Sequence, residues 1–336
     1  MKRKAIICNS LNPDLVLYFK KKVEGLDGEN VYLANRQVAS KLGIRTSSFS
    51  TVSGLSWWLL VDCILSFYVL LYLFYKKVNY VIFDTAHISN IPLAVLCKLL
   101  GMKLVFTIHD WNPHEGAQSK AVTLYNTVVK KYLGDEFIVF SPIEFCKPIH
   151  KLTLAGFDFN GVSEKSDYFL FFGRVEPYKG LGHIVVLANL LIENGHDERI
   201  VVAGRGNDPA LAELKKLPNV EVINRFIPDE EVASLFGACI ATILPYDSAT
   251  QSGVVILSYS FGKPVIAFNV GELGCYIENG VSGYLVQHKM YSEFFNKMML
   301  VRSNYQRFSK GVVEYFEQFN SESLVRQYNN LLRKFN

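Results

Sequence analysis

Arg174 and Lys179, two cations five residues apart, close an apolar run in the segment Phe169-Leu-Phe-Phe-Gly-Arg-Val-Glu-Pro-Tyr-Lys-Gly180. Such a pair can grip a diphosphate. The guanidinium fork takes two phosphate oxygens, the ammonium adds a point charge, and Gly173 and Gly180 let backbone amides come close. The same residues would also serve as a surface turn with solvated cations. A second stretch adds weight to the anion reading. Tyr246-Asp-Ser-Ala-Thr-Gln-Ser-Gly253 sets hydroxyl, amide and glycine groups just before the apolar run from Val254 to Phe261. If that run is a helix, its first N–H groups lack partners and its macrodipole attracts negative charge, which makes Thr250, Gln251, Ser252, Gly253 and Val254 candidate ligand contacts. Gly262-Lys-Pro264 then stops the helix, Val265 to Phe268 reads as a buried strand, and Gly271-Glu272 opens the next loop.

Elements that could hold these groups are legible as apolar runs alternating with segments of helical period, the pattern of parallel α/β architecture. Strands are expected at Ala5 to Cys8, Tyr80 to Phe83, Lys103 to Ile108, Glu136 to Phe140, Tyr168 to Phe172, Ile200 to Ala203, Val220 to Ile223, Ala241 to Leu244 and Val265 to Ala267. Lys151 to Ser163, with Gly156 and Gly161, reads as an interdomain connection, and Ser321 to Phe335 has helical spacing at Leu324, Tyr328, Leu331 and Leu332. At 336 residues, half of them apolar, the chain is long for one core and ordinary for two.

The order and spacing of four motifs resemble the retaining nucleotide-sugar glycosyltransferases of family 4, the group 1 glycosyl transferases with the GT-B fold. These motifs are Gly173-Arg174 with Lys179-Gly180, Gly204-Arg205-Gly206, Gly262-Lys-Pro-Val-Ile-Ala267, and Glu278-Asn-Gly-Val-Ser-Gly-Tyr-Leu-Val286. They cover the second half of the chain; the first half resembles the family through Phe106-Thr-Ile-His-Asp110. The resemblance implies an α/β protein of two Rossmann-like parallel-sheet domains facing across a cleft. Residues 1–160 would form the acceptor side, 161–318 the nucleotide-sugar side, and 319–336 a last helix crossing back. It also implies a nucleoside-diphosphate sugar as donor, a saccharide, lipid-linked in surface-polysaccharide assembly, as acceptor, and neither cofactor nor metal.

The family carries over site roles as well. The resemblance gives His109 a contact to the donor sugar, Arg174 and Lys179 the departing diphosphate, Gly173, Gly204 and Arg205 the donor phosphates or base, and Phe226 and Ile227 the frame of the base. Asp110 or Glu115 would be an alternative base for the acceptor. Gly204-Arg205-Gly206 alone is as consistent with a tight turn, and His109 alone with a strand-end cap. Departures are equally specific. The family's two glutamates, eight positions apart, fall on Ala249 and Leu257, a one-residue shift offers only Thr250 and Ser258, its Gly-Gly pair becomes Gly271-Glu272, and its following glutamate falls on Cys275. Donor grip must therefore be arranged differently here, and two rival readings stay open: a GT-B nucleotide-sugar epimerase and a non-catalytic saccharide-binding protein.

Charge and composition exclude several classes. Residues 1–160 hold 18 Lys and Arg against 12 Asp and Glu, and residues 161–336 hold 17 against 19, so the halves carry +6 and −2. The basic half suits an anionic membrane surface, whereas the chain has no long basic run, zinc-finger spacing or ribonucleoprotein motif for nucleic acid. Six cysteines without close pairs suit a reducing cytoplasm, and the N-terminal residues read as a strand rather than a signal peptide. His109, Asp110, His114 and Glu115 offer metal-binding groups, but Pro113 breaks any helical face between them. Leu55 to Tyr75 is apolar except for Ser56, Asp62 and Ser66 and ends at Lys76-Lys77. It is long enough to span a bilayer, to form a core helix, or to lie on a membrane face through Trp57, Trp58, Phe67 and Tyr68.

Overall fold

The computed structural model describes residues 2–10, 12–42, 47–49, 58–109, 111, 120–158, 160–161, 167–249 and 252–335. The chain divides into two compact units, residues 1–156 with 321–336, and residues 157–320. In chain order the first unit runs β1 (Arg3–Cys8), α1 (Pro13–Gly25), β2 (Val31–Asn35), α2 (Arg36–Leu42), β3 (Ser47–Phe49), α3 (Trp58–Tyr75), β4 (Val78–Phe83), α4 (Asn90–Leu99), β5 (Lys103–Ile108), α5 (Lys120–Val128), β6 (Glu136–Val139) and β7 (Ile149–Lys151). The second runs β8 (Tyr168–Phe172), α6 (Leu181–Glu193), β9 (Arg199–Ala203), α7 (Leu211–Leu214), β10 (Val220–Ile223), α8 (Asp229–Ala238), β11 (Cys239–Leu244), α9 (Gly253–Ser260), β12 (Val265–Phe268), β13 (Gly283–Val286), α10 (Tyr291–Ser303) and α11 (Tyr305–Phe316). Helix α12 (Ser321–Lys334) returns to the first unit and packs on α1.

Each unit is a parallel sheet with helical crossovers. The strand order is β3-β2-β1-β4-β5-β6-β7 in the first and β10-β9-β8-β11-β12-β13 in the second. Both orders reverse once, between β1 and β4 and between β8 and β11. Loops leaving the carboxyl ends of strands beside such a reversal diverge and open a crevice, where ligands bind in this architecture. Central strands are apolar at consecutive positions because helices cover both sheet faces. Phe169, Leu170 and Phe171 of β8 and Val81, Ile82 and Phe83 of β4 are all 0% exposed.

All nine expected strands are present, within two residues at each end, and four more join them: β2, β3, β7 and β13. Three of these are sheet edges, where few positions need be apolar. Residue 151, expected to begin a connection, closes β7, and Leu154 and Ala155 beyond it are buried. Helix α8 begins at Asp229, with Pro228 as its N-cap residue.

In α3, Val69, Leu70 and Leu73 enter the first unit's core. Ile64, Phe67, Tyr68, Leu71, Phe74 and Tyr75 lie outside it, 49–77% exposed. The helix is thus partly core and partly an exposed apolar face among the described residues. Among the described residues no helix is long and apolar enough to cross a membrane. Trp57 and the side chain of Trp58 lie outside the described residues.

The first unit also buries an ion pair. Lys22 Nζ of α1 reaches both oxygens of Asp84 at 2.7 Å, and the Asp84 Oδ1 atom also accepts the hydroxyls of Tyr328 in α12, at 3.1 Å, and Thr107, at 3.4 Å. The Lys22 ammonium sits 3.9 Å from the centre of the Tyr328 ring.

Candidate functional site

The second unit's crevice is built from backbone first. Beyond β8, Gly173 has φ 126°, a region a side chain rarely tolerates, and a Cβ there would meet Val254 Cγ2 at 3.6 Å. The turn therefore lies against the first turn of α9. From β9, Gly204 approaches so closely that a Cβ would collide with the carbonyl oxygen of Gly173. Two hydrogen bonds stitch these loops together, Val175 N–H to the Arg205 carbonyl and Asn207 N–H to the Val175 carbonyl, each at 3.0 Å.

Lys179 ends a 3-10 turn, Pro177–Lys179, and its ammonium lies 3.8 Å from the centre of the Tyr246 ring beyond β11. Burial lowers its pKa to about 8; the neighbouring Arg174 guanidinium pushes the same way and Glu176 opposes them. Arg174 is 63% exposed and pairs with Glu176 at 2.8 Å. The two cations are thus neighbours, one half-buried against an aromatic face and one presented to solvent.

Ser252 is the N-cap residue of α9 and is 3% exposed. Its hydroxyl and that of the buried Tyr246 form no well-aligned hydrogen bond among the described residues. A buried hydroxyl at a helix N-terminus, beside two cations and two close-packed glycines, suits an anionic group with acceptor oxygens. The turn after β8 with Arg174 and Lys179, the loop after β9 at Gly204 and the start of α9 at Val254 thus lie close together. Thr250 and Gln251 lie outside the described residues. Phe226 is 71% exposed, while Ile227 is a core residue. At Ala249, which offers no carboxylate, the carbonyl accepts the Glu272 N–H at 3.3 Å, and a Cβ on Gly271 would collide with that carbonyl.

In the first unit, His109 follows β5 and stacks on Phe140 with ring centres 5.0 Å apart. Asp110, His114 and Glu115 lie outside the described residues.

One cluster escaped the sequence reading. His183 in the first turn of α6, Asp247 beyond β11 and His288 beyond β13 meet beside the crevice. His183 Nε2 and His288 Nε2 each lie 2.9 Å from Asp247 Oδ1, and His183 Nδ1 lies 2.8 Å from the Tyr291 hydroxyl. Burial opposes ionisation of Asp247, but hydrogen bonds and charge from the two rings outweigh it and hold the carboxyl below its usual range. Nothing in local spacing announces residues so far apart in the chain.

Comparison with known proteins bears on the fold and on the second unit. Residues 166–304 match the family described as glycosyl transferases group 1. A D-inositol 3-phosphate glycosyltransferase of Kribbella flavida is 26% identical over 178 residues, 48% of this chain and 42% of the relative, so the match spans less than half of that protein's length. Among solved structures, Anabaena HepE in complex with UDP superposes with a TM-score of 0.70 at 15% identity over 99% of this chain and 100% of that one. The lipopolysaccharide outer core galactosyltransferase WaaB in its apo form gives 0.71 at 13% identity over 100% of both. The fold is GT-B, and residues 166–304 of the second unit are similar to the glycosyl transferases group 1 domain.

Proposed function

We propose that the protein is a retaining glycosyltransferase that moves a hexosyl unit from a nucleoside-diphosphate sugar to a saccharide hydroxyl. The observation that carries this reading is the pairing of Arg174 with a half-buried Lys179 beside the N-terminus of α9. As the sugar–phosphate bond breaks, charge grows on the diphosphate, and donors already fixed in place stabilise it without the cost of reorganising water. Two protein cations and a helix N-terminus supply the field that a magnesium ion provides elsewhere. The acceptor attacks from the face the diphosphate leaves and gives its proton to the departing phosphate, with Asp110 as an alternative base and His109 contacting the sugar. Structures of HepE hold UDP or UDP-glucose, which makes UDP-sugars the first donors to test.

A lipid-linked acceptor, as in surface-polysaccharide assembly, fits the outer face of α3. Its six exposed apolar side chains and the following Lys76 and Lys77 match an anionic bilayer surface in both apolarity and charge. A panel of radiolabelled nucleotide sugars, scored for hydrolysis and for transfer to added saccharides, tests the reading. Epimer without transfer would replace it with the epimerase, and failure to bind any nucleoside diphosphate would leave a non-catalytic binding protein.

A further inference from the structure

The geometry points to a binding site for a zinc-class divalent cation formed by His183, Asp247 and His288. Two imidazoles and one carboxylate are a borderline ligand set that selects zinc and its neighbours over magnesium or calcium. Their ligand atoms come from three separate elements and all lie within 4.8 Å of one another. Around a tetrahedral ion with bonds of about 2.0–2.1 Å, ligand atoms stand about 3.3 Å apart. The two nitrogen–oxygen separations here are 2.9 Å, within a few tenths of an ångström of that value, and the two ring nitrogens stand no more than 4.8 Å apart.

The surroundings have the form of a metal site as well. A histidine that binds a metal through one ring nitrogen commonly donates the other N–H to a polar partner, and His183 Nδ1 already faces the Tyr291 hydroxyl at 2.8 Å. Phe268 forms an apolar wall, its ring centre 5.3 Å from that of His183 and 5.2 Å from that of His288. Asp247 is 43% and His288 35% exposed, which leaves an entry path and a fourth position for water. With no ion, both rings donate Nε2–H to Asp247.

The site ties the start of α6 to the loop beyond β11, next to Lys179. Asp247 N–H already donates to the Tyr178 carbonyl at 2.9 Å, and a Cβ on Gly180 would collide with the Pro245 carbonyl. The ion would brace these loops, and no step of sugar transfer passes through it. The inference stands independently of the proposed reaction.

Cobalt, a spectroscopic stand-in for zinc, provides the test. Chelator-stripped full-length protein titrated with Co²⁺ should develop the visible d–d band of a tetrahedral nitrogen–oxygen site, one ion per chain, bleached by added Zn²⁺. His288→Gln, at a partly exposed position, should keep the circular dichroism spectrum and lose the band. Tyr291→Phe should weaken cobalt binding by about 10- to 100-fold. Absence of the band at millimolar cobalt, or a band that persists in folded His288→Gln, would leave the three residues as a hydrogen-bonded brace and overturn the site.

Discussion

Raising the pH through 8 should switch off the diphosphate grip while making the fold more stable, two opposite responses from one side chain. Lys179 titrates at about 8, so it is about nine-tenths charged at pH 7 and about one-tenth charged at pH 9. If only the cation binds the donor productively, kcat/KM for the nucleotide sugar falls about tenfold between those values. Bound diphosphate favours the charged form, so the falling limb of kcat should lie at higher pH than that of kcat/KM. Lys179→Arg keeps its charge throughout and should lose the limb near 8, whatever its absolute rate. Stability moves the other way because the folded pKa lies below the unfolded one. The cost of holding the ammonium in the crevice, about 3 kcal/mol, is fully present below pH 8 and is relieved as pH rises toward 10.5. Lys179→Met, uncharged at every pH, should therefore be more stable than wild type near neutrality, by an amount that shrinks with rising pH. Initial rates across pH 6–10 and denaturant midpoints of the three proteins supply the data. A wild-type limb shared by Lys179→Arg, or a Lys179→Met advantage that grows with pH, would refute the argument.

Arg174→Ala should lower turnover by about a hundred- to a thousandfold, or about 2.7–4 kcal/mol, with the fold retained; steady-state kinetics showing a loss under threefold would remove it from the diphosphate clamp. Magnesium added to or withheld from the assay should leave turnover unchanged, and a strict requirement for it would contradict an all-protein clamp. Replacing Phe67 and Phe74 together by Ser should reduce flotation with anionic vesicles while circular dichroism stays the same, because both rings lie on the exposed side of α3; undiminished flotation would assign that face elsewhere. Gly204→Ala should lower stability by at least about 1–3 kcal/mol, since the new Cβ meets the Gly173 carbonyl in a left-handed backbone region; an unchanged melting midpoint would show the two loops to be further apart.

The central strands were legible because both sheet faces are covered, which leaves runs such as Phe169-Leu-Phe-Phe172 with no polar interruption. Edge strands β3 and β7 were not, because three residues such as Ile149-His-Lys151 carry too little apolar pattern to distinguish strand from loop. The glycine and cation motif around Arg174 and Lys179 was readable because it is local: one turn supplies both charges. The depressed Lys179 pKa was not, since it depends first on burial that only the folded chain supplies. The His183, Asp247 and His288 cluster lay further out of reach. Its members sit behind three different elements, and their meeting is a product of strand order rather than of any spacing along the chain. For α3 the sequence could not choose between core and surface, because the helix is apolar on both sides and does both.

The bond from Tyr328 to Asp84 sets an order on the making of the molecule. Residues 157–320 form one unbroken stretch that can close its own sheet as soon as it is synthesised. The first unit holds all seven of its strands before residue 157, yet its buried ion pair is completed only when α12 brings the hydroxyl of Tyr328. Until then Asp84 keeps Lys22 and Thr107 but lacks the Tyr328 bond, so the first unit is completed after residues 157–320 although most of it precedes them in the chain.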